Sequence, residues 1–186
     1  MAVMFTHAAG LVHKSICPDN VLLLKPAQPS AVAHELSAFL VGFEAARLRD
    51  LSAYSDQLPE ADAIGKLYSH PERVIPHENG HVVRFGMRHD MYSLGIVLLE
   101  LGMWKPIEAI GGDLSKADQA EFNARKLRKR LIDVAEKHLA ATAGPKYSDA
   151  VLCCLRDATE KGLDDERGMR EKFYYRVLQQ LKQIVV

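Results

Sequence analysis

The stretch His13-Lys14-Ser15-Ile16-Cys17-Pro18-Asp19-Asn20-Val21-Leu22-Leu23 decides how the rest of the chain is read. Leu11-Val12-His13 is a short apolar entry into a loop, Pro18-Asp19-Asn20 has the composition of a turn, and Val21 to Leu24 reads as a brief buried strand ended by Lys25-Pro26. Pro26, Pro29 and Ser30 then reverse the chain, and Phe39-Leu40-Val41 reads as a second short strand. Two short strands about a polar loop predict a small β-ribbon. Upstream, Ala2 to Ala9 suits a helix stopped by Gly10, which accepts a left-handed backbone without a Cβ clash. The opening Met1 to Phe5 is apolar but has no basic flank, so it reads as the end of a core helix whose beginning is absent rather than as a signal peptide.

Downstream, Gly42 to Lys66 mixes charge, serine and small residues with Pro59 and Gly65 and follows neither the helical nor the strand period. It is expected to be a long irregular segment, which in a compact domain is more often functional than idle. From Asp90 to Leu101 the residues are almost continuously apolar, and a helix apolar all round belongs at the domain centre. Gly111-Gly112 reads as a linker before Ser115, an N-cap with Asp118 behind it. The helix that follows turns Phe122, Leu127, Leu131, Val134 and Leu139 inward until Gly144-Pro145 stops it. Ser148 is expected to cap the next helix, burying Val151, Leu152 and Leu155 and ending near Gly162. A last helix presents Met169, Phe173, Val177, Leu181 and Ile184. The fold class is mainly α with a small β-ribbon, in one domain over residues 1–186.

Composition narrows the function classes. Of 186 residues 48% are hydrophobic, enough to bury a core, which excludes a long disordered tail. Lys+Arg and Asp+Glu both number 24, so the basic excess that would draw the chain onto nucleic acid or anionic lipid is missing. No apolar run approaches the ~20 residues of a membrane span. Cys17, Cys153 and Cys154, odd in number and two of them adjacent, do not form a secreted disulfide framework, so reduced thiols in a cytoplasmic protein are expected.

The opening stretch resembles the protein-kinase catalytic loop, H-R-D-L-K-P-x-N-I-L-L in active members. Three further matches follow in order. Leu40-Val41-Gly42-Phe43-Glu44 stands where kinases have D-F-G, His70-Pro71-Glu72 where they have A-P-E, and Asp90-Met91-Tyr92-Ser93-Leu94-Gly95 where a buried helix begins with aspartate. The likeness covers only the C-terminal lobe, so the N-lobe, with its Gly-rich loop and strand lysine, is expected but absent. It implies a pillar of His13, Phe43 and Asp90, with Asp90 accepting hydrogen bonds from backbone N–H groups of the His13 loop. It also implies an adenine-side column of Val21, Leu22, Leu23, Val97 and Leu101, and a buried arginine partner for Glu72, for which Arg156 and Arg167 are the candidates. The phrases around His13, Gly42, Tyr68 and Arg88 are similar to kinase-like domains of filamentous fungi, often encoded behind a HeLo-type helical domain; no such domain is present here.

Against that resemblance, the charges are missing. Kinase phosphoryl transfer needs a carboxylate to orient the substrate hydroxyl, and a second carboxylate with an asparagine to hold Mg²⁺. The first position is Ser15, a neutral hydroxyl unable to take the proton at pH 7. The loop lysine is replaced by Cys17 and the metal-binding aspartate by Gly42, leaving Asn20 as the surviving polar residue. The degenerate catalytic-loop positions are thus His13, Ser15, Cys17 and Asn20, with no catalytic residue assigned. The vestigial nucleotide cleft would comprise Leu22, Gly42, Phe43 and Glu44, and Asn20 is the one candidate metal ligand. Glu44, two residues past the lost aspartate, could swing toward a metal shared with Asn20, but a solvated carboxylate fits better, given how demanding Mg²⁺ geometry is.

Other features read blandly. His77 and His81 flank a loop rather than one helix face, and Cys153-Cys154 lies on an apolar helix where buried thiols are common. Arg125-Lys126-Leu127-Arg128-Lys129-Arg130 reads as a solvated helix face among flanking acids. Ser52, Tyr54, Ser55 and Tyr68 lie where kinases carry phosphosites, without the Asp–Arg pair that would read a phosphate. The expectation is a catalytically impaired pseudokinase C-lobe acting on a protein partner as a regulatory or interaction module in signalling, with no resident cofactor. The alternative is a residual ATP- and Mg²⁺-dependent protein kinase completed by an N-lobe from elsewhere.

Overall fold

The structure, a computed structural model, describes residues 1–25, 37–48, 63–75, 83–115, 123–157 and 166–184. The predicted turn at Pro26, Pro29 and Ser30, and Ser52, Tyr54, Ser55, Pro59, His77, His81, Asp118, Phe122 and Gly162, lie outside them. In chain order the elements are α1 (Ala2–Ala8), β1 (Leu11–Val12), β2 (Val21–Leu24), β3 (Ser37–Leu40), β4 (Arg47–Leu48), α2 (Ala63–Tyr68), α3 (Pro71–Val74), α4 (Met87–Met103) and α5 (Ile107–Gly111). After them come α6 (Ala124–Val134), a π turn (Ala135–Leu139), α7 (Ala140–Ala143), α8 (Pro145–Asp157), α9 (Glu166–Phe173), a second π turn (Tyr174–Leu178) and α10 (Gln179–Lys182). The described residues are mainly helical, with two antiparallel two-stranded sheets.

At the centre lies α4, on which Tyr92, Ile96 and Leu99 are essentially inaccessible. It packs most extensively on α8, and Gly95 makes that approach possible. A β-carbon there would stand 2.7 Å from Cys154 Cβ and 3.1 Å from Leu155 Cδ2. Leu127, Leu131, Val134 and Leu139 face the same core from the α6–α7 rod, and Met169, Phe173 and Val177 close it from the C-terminal helices. Cys153 and Cys154 are free and buried in this core. The basic run divides: Arg125, Lys126, Lys129 and Arg130 are exposed, whereas the Arg128 guanidinium donates to Leu155 O at 2.9 and 3.1 Å, satisfying a carbonyl in the last turn of α8.

Several sequence expectations are corrected. β2 is not buried: Leu22, Leu23 and Leu24 are 46, 59 and 52% exposed, because among the described residues only β3 lies beside the strand. The second strand covers Ser37–Leu40 and stops before Val41, in the register Val21↔Leu40 to Leu24↔Ser37. Leu11-Val12 is a strand rather than a simple loop entry, paired with Arg47-Leu48, which therefore interrupts the segment expected to be irregular. Gly111 ends α5 and is no linker; Ile107 and Ile110, three apart and buried, give that short helix its inner face. Within the described residues α6 begins at Ala124, with Asn123 Oδ1 accepting from Lys126 N at 3.0 Å; Ser115 ends a 3₁₀ turn, and the residues it was expected to cap lie outside the described ones. α8 starts at Pro145, a residue suited to a first helical turn, so Ser148 lies inside the helix, with its hydroxyl donating to Ala135 O at 3.3 Å.

Candidate functional site

The loop after β1 is organised by Asp90, in the first turn of α4 and fully buried. Its Oδ2 accepts from His13 N at 2.7 Å and its Oδ1 from Lys14 N at 2.9 Å, the two hydrogen bonds expected of it. The Nε2 of His7, reaching over from α1, lies 3.0 Å from Oδ2. Backbone amides, an imidazole and the positive end of a 17-residue helix together offset the cost of burying a carboxylate. The clamp also sets the backbone: Lys14 is left-handed at φ +72°, uncommon for a residue with a side chain.

His13 is oriented on both ring nitrogens. Nε2 lies 2.9 Å from Val41 O and must donate to it, while Nδ1 accepts from Ser15 N at 3.3 Å. Burial pushes its pKa down against the opposing influence of Asp90, which keeps the ring neutral. Its ring packs edge-on against Phe43, 4.5 Å between centroids, so His13 joins Phe43, through its ring, to Asp90, through its backbone amide, although Phe43 is 43% exposed rather than internal. With both nitrogens committed to backbone partners, His13 is a structural group.

Asn20 is likewise committed. Its Nδ2 donates to Ser15 O at 2.7 Å and to Ser15 Oγ at 3.0 Å, while its backbone carbonyl accepts from Val41 N at 2.9 Å. Gly42 follows at φ +79°, and a β-carbon there would fall 2.2 Å from Asn20 Oδ1. The Asn20 amide therefore occupies the space a side chain at position 42 would need. Glu44, in a 3₁₀ turn Phe43–Ala45, is exposed and influences His13 only through space. Cys17 is a half-buried thiol. Ser15, Asn20, Gly42 and His13 are thus brought together, and among the described residues the hydrogen-bond partners of the Asn20 side chain are both on Ser15.

A second polar cluster was only half visible in the sequence. Glu72 of α3 is held by Arg88 Nε at 2.8 Å and His89 Nε2 at 2.9 Å, both from the start of α4. Arg156, one of the two candidates for Glu72, instead pairs with Glu136, and the side chain of the other, Arg167, lies outside the described residues. The signal was present in Arg88-His89, directly before Asp90, but two residues adjacent in sequence do not show which carboxylate they meet. Burial pushes Glu72 upward, yet the His89 hydrogen bond and the neighbouring cations hold its carboxyl at about 2. Burial drives His70 down to about 3.

The nitrogens of His70 and His89 and an oxygen of Glu72 lie within 4.8 Å of one another, a spacing a cation could use. Their hydrogen bonds argue otherwise. His89 Nδ1 accepts from Gly86 N at 2.8 Å, which puts its proton on Nε2, the atom facing Glu72. His70 Nδ1 accepts from Glu72 N at 3.3 Å as the cap of α3, and the Arg88 guanidinium already neutralises the carboxylate. The cluster staples α3 to α4. Compared with known proteins, the chain matches no family model, no curated sequence and no solved structure. Among the described residues no helix is long and apolar enough to cross a membrane.

Proposed function

We propose that this chain is a protein-kinase-like C-lobe without catalytic power, serving as a regulatory or interaction module for a protein partner. The observation that carries it is the contrast around one loop: Asp90 grips the His13 and Lys14 amides and His13 stacks on Phe43, while Asn20 is bonded to a serine and abuts a glycine. The packing such a loop needs is kept and the acids that would move a phosphoryl group are gone. A face of exposed apolar side chains, Leu22 opposite Phe39 with Leu24 beside them, supports a protein partner. Zero net charge supports a partner other than nucleic acid.

Thermal unfolding with and without Mg-ATP tests the loss of the nucleotide site. A ligand held at a hundred times its Kd stabilises by about 2.7 kcal/mol. For a chain of this size that is a rise of roughly 5 to 10 °C. No rise is expected. A saturable rise that Asn20→Ala removes would show that Asn20 still holds metal and nucleotide, in favour of a residual kinase.

A further inference from the structure

Strand alternation gives the β2–β3 ribbon two faces: Leu22 and Phe39 share one, and Val21, Leu23 and Ala38 belong to the other. That second face roofs a groove of about 600 Å³ whose floor is Val97 and Leu101 of α4 and whose edge is Trp104. The volume is within the range of sites that bury a ligand. Leu101 is 50% exposed and Trp104 87%, so the apolar lining runs out of the cavity onto the surface and calls for an elongated occupant.

The charges are one-sided. Asp19, Glu100 and Glu108 line the groove against a single ammonium, Lys105. Glu100 is anchored by the Tyr68 hydroxyl at 2.9 Å and by Ile107 N at 2.6 Å, so its carboxylate stays in the groove wall. Independently, the 17-residue α4 ends here with no basic residue in its last turn, leaving the negative end of its dipole without a cation from the helix itself. Val97 and Leu101, four residues apart, share one face of α4, and Trp104, the left-handed residue that ends it, extends the apolar lining beyond the helix, a strip along which a second helix could pack.

We propose that this groove is a docking site for an amphipathic helix of a partner protein, one that lays leucine-like side chains between β2 and α4 and sets lysine or arginine against Asp19, Glu100 and Glu108. The groove takes in Val21, Leu23, Val97 and Leu101 of the expected adenine-side column, but its apolar and acidic lining fits such a helix whether or not the kinase-like reading holds.

Trp104 is the only tryptophan of the chain and sits on the rim, so its emission reports occupancy directly. The probes are two synthetic helical peptides with the same leucine face, flanked by lysine in one and by glutamate in the other, titrated into the full chain. The lysine peptide is expected to shift Trp104 emission to the blue and to saturate, with affinity about tenfold above the glutamate peptide. Leu101→Gln and Glu108→Gln, both at exposed positions, each weaken it about three- to tenfold with unchanged far-UV circular dichroism. No emission change with the lysine peptide overturns the proposal, as does equal affinity for both peptides or an unaltered Leu101→Gln titration. A blue shift that grows with protein concentration before any peptide is added overturns it in favour of a second copy of the chain.

Discussion

Lys14 and Gly42 show two ways a left-handed backbone is held in one loop system. Lys14, at φ +72°, is kept there by its own amide, bound to Asp90. Glycine at that position removes the Cβ conflict, so Lys14→Gly is expected to raise stability by about 0.5–1 kcal/mol, read as a higher urea midpoint. At Gly42 both the backbone and the neighbour demand glycine. Gly42→Ala is expected to cost about 2–3 kcal/mol. Part of that cost returns in Asn20→Gly/Gly42→Ala, a double-mutant coupling of at least about 0.5 kcal/mol that distinguishes a clash with Asn20 from backbone strain alone. The bonds of Asp90 to the His13 and Lys14 amides were expected from the order of motifs around them. That Asn20 turns inward onto Ser15 was not, since an asparagine can serve equally as ligand or as strut until its neighbours are placed.

At the scale of elements, α4 was readable because an uninterrupted apolar run leaves few alternatives to a central helix. α5 was not, because five residues ending in Gly111 give too short a period, and its Ile107 and Ile110 acquire meaning only against the core. Exposure of β2 was missed for a related reason: an apolar strand sequence records that something could cover it, not that something does. The α3–α4 staple carries the acid sensitivity of the fold. His70 titrates at about 3 in the folded chain and near 6.5 unfolded. Between those values the unfolded chain binds the proton and the folded one does not, so its contribution is present above about pH 6.5 and lost as pH falls toward 3. Burial lowers His13 and His89 in the same direction, and Glu72, held at about 2, loses its contribution as pH falls below the ordinary carboxylate value. Stability measured by urea unfolding is therefore expected to fall from pH 7 to pH 4, by up to about 1.4 kcal/mol per unit for each buried histidine. His70→Asn, which keeps an acceptor for the α3 cap, makes the slope shallower. Stability that rises on acidification would contradict the neutral, buried assignment.

For the whole molecule, the helical core around α4 and α8 holds a polar loop on one side and leaves an apolar ribbon exposed beside it. The mainly helical class with a small β component was legible from period and composition. The pairing of Glu72 with Arg88 and His89, and the acidic rim of the groove beneath β2, arise from residues far apart in sequence and carry no local signature, although Val21, Leu23, Val97 and Leu101 were grouped by the resemblance. The proposal that joins these levels is chemical: that a loop scaffold like that of phosphoryl-transfer enzymes is kept here without its acids. It is tested most directly by phosphate transfer from labelled Mg-ATP to a general protein substrate and to the chain itself, with the chain used alone and joined to any sequence encoded upstream. The expected result is incorporation no greater than that of the Asn20→Ala variant. Incorporation well above background that disappears in Asn20→Ala would contradict the account.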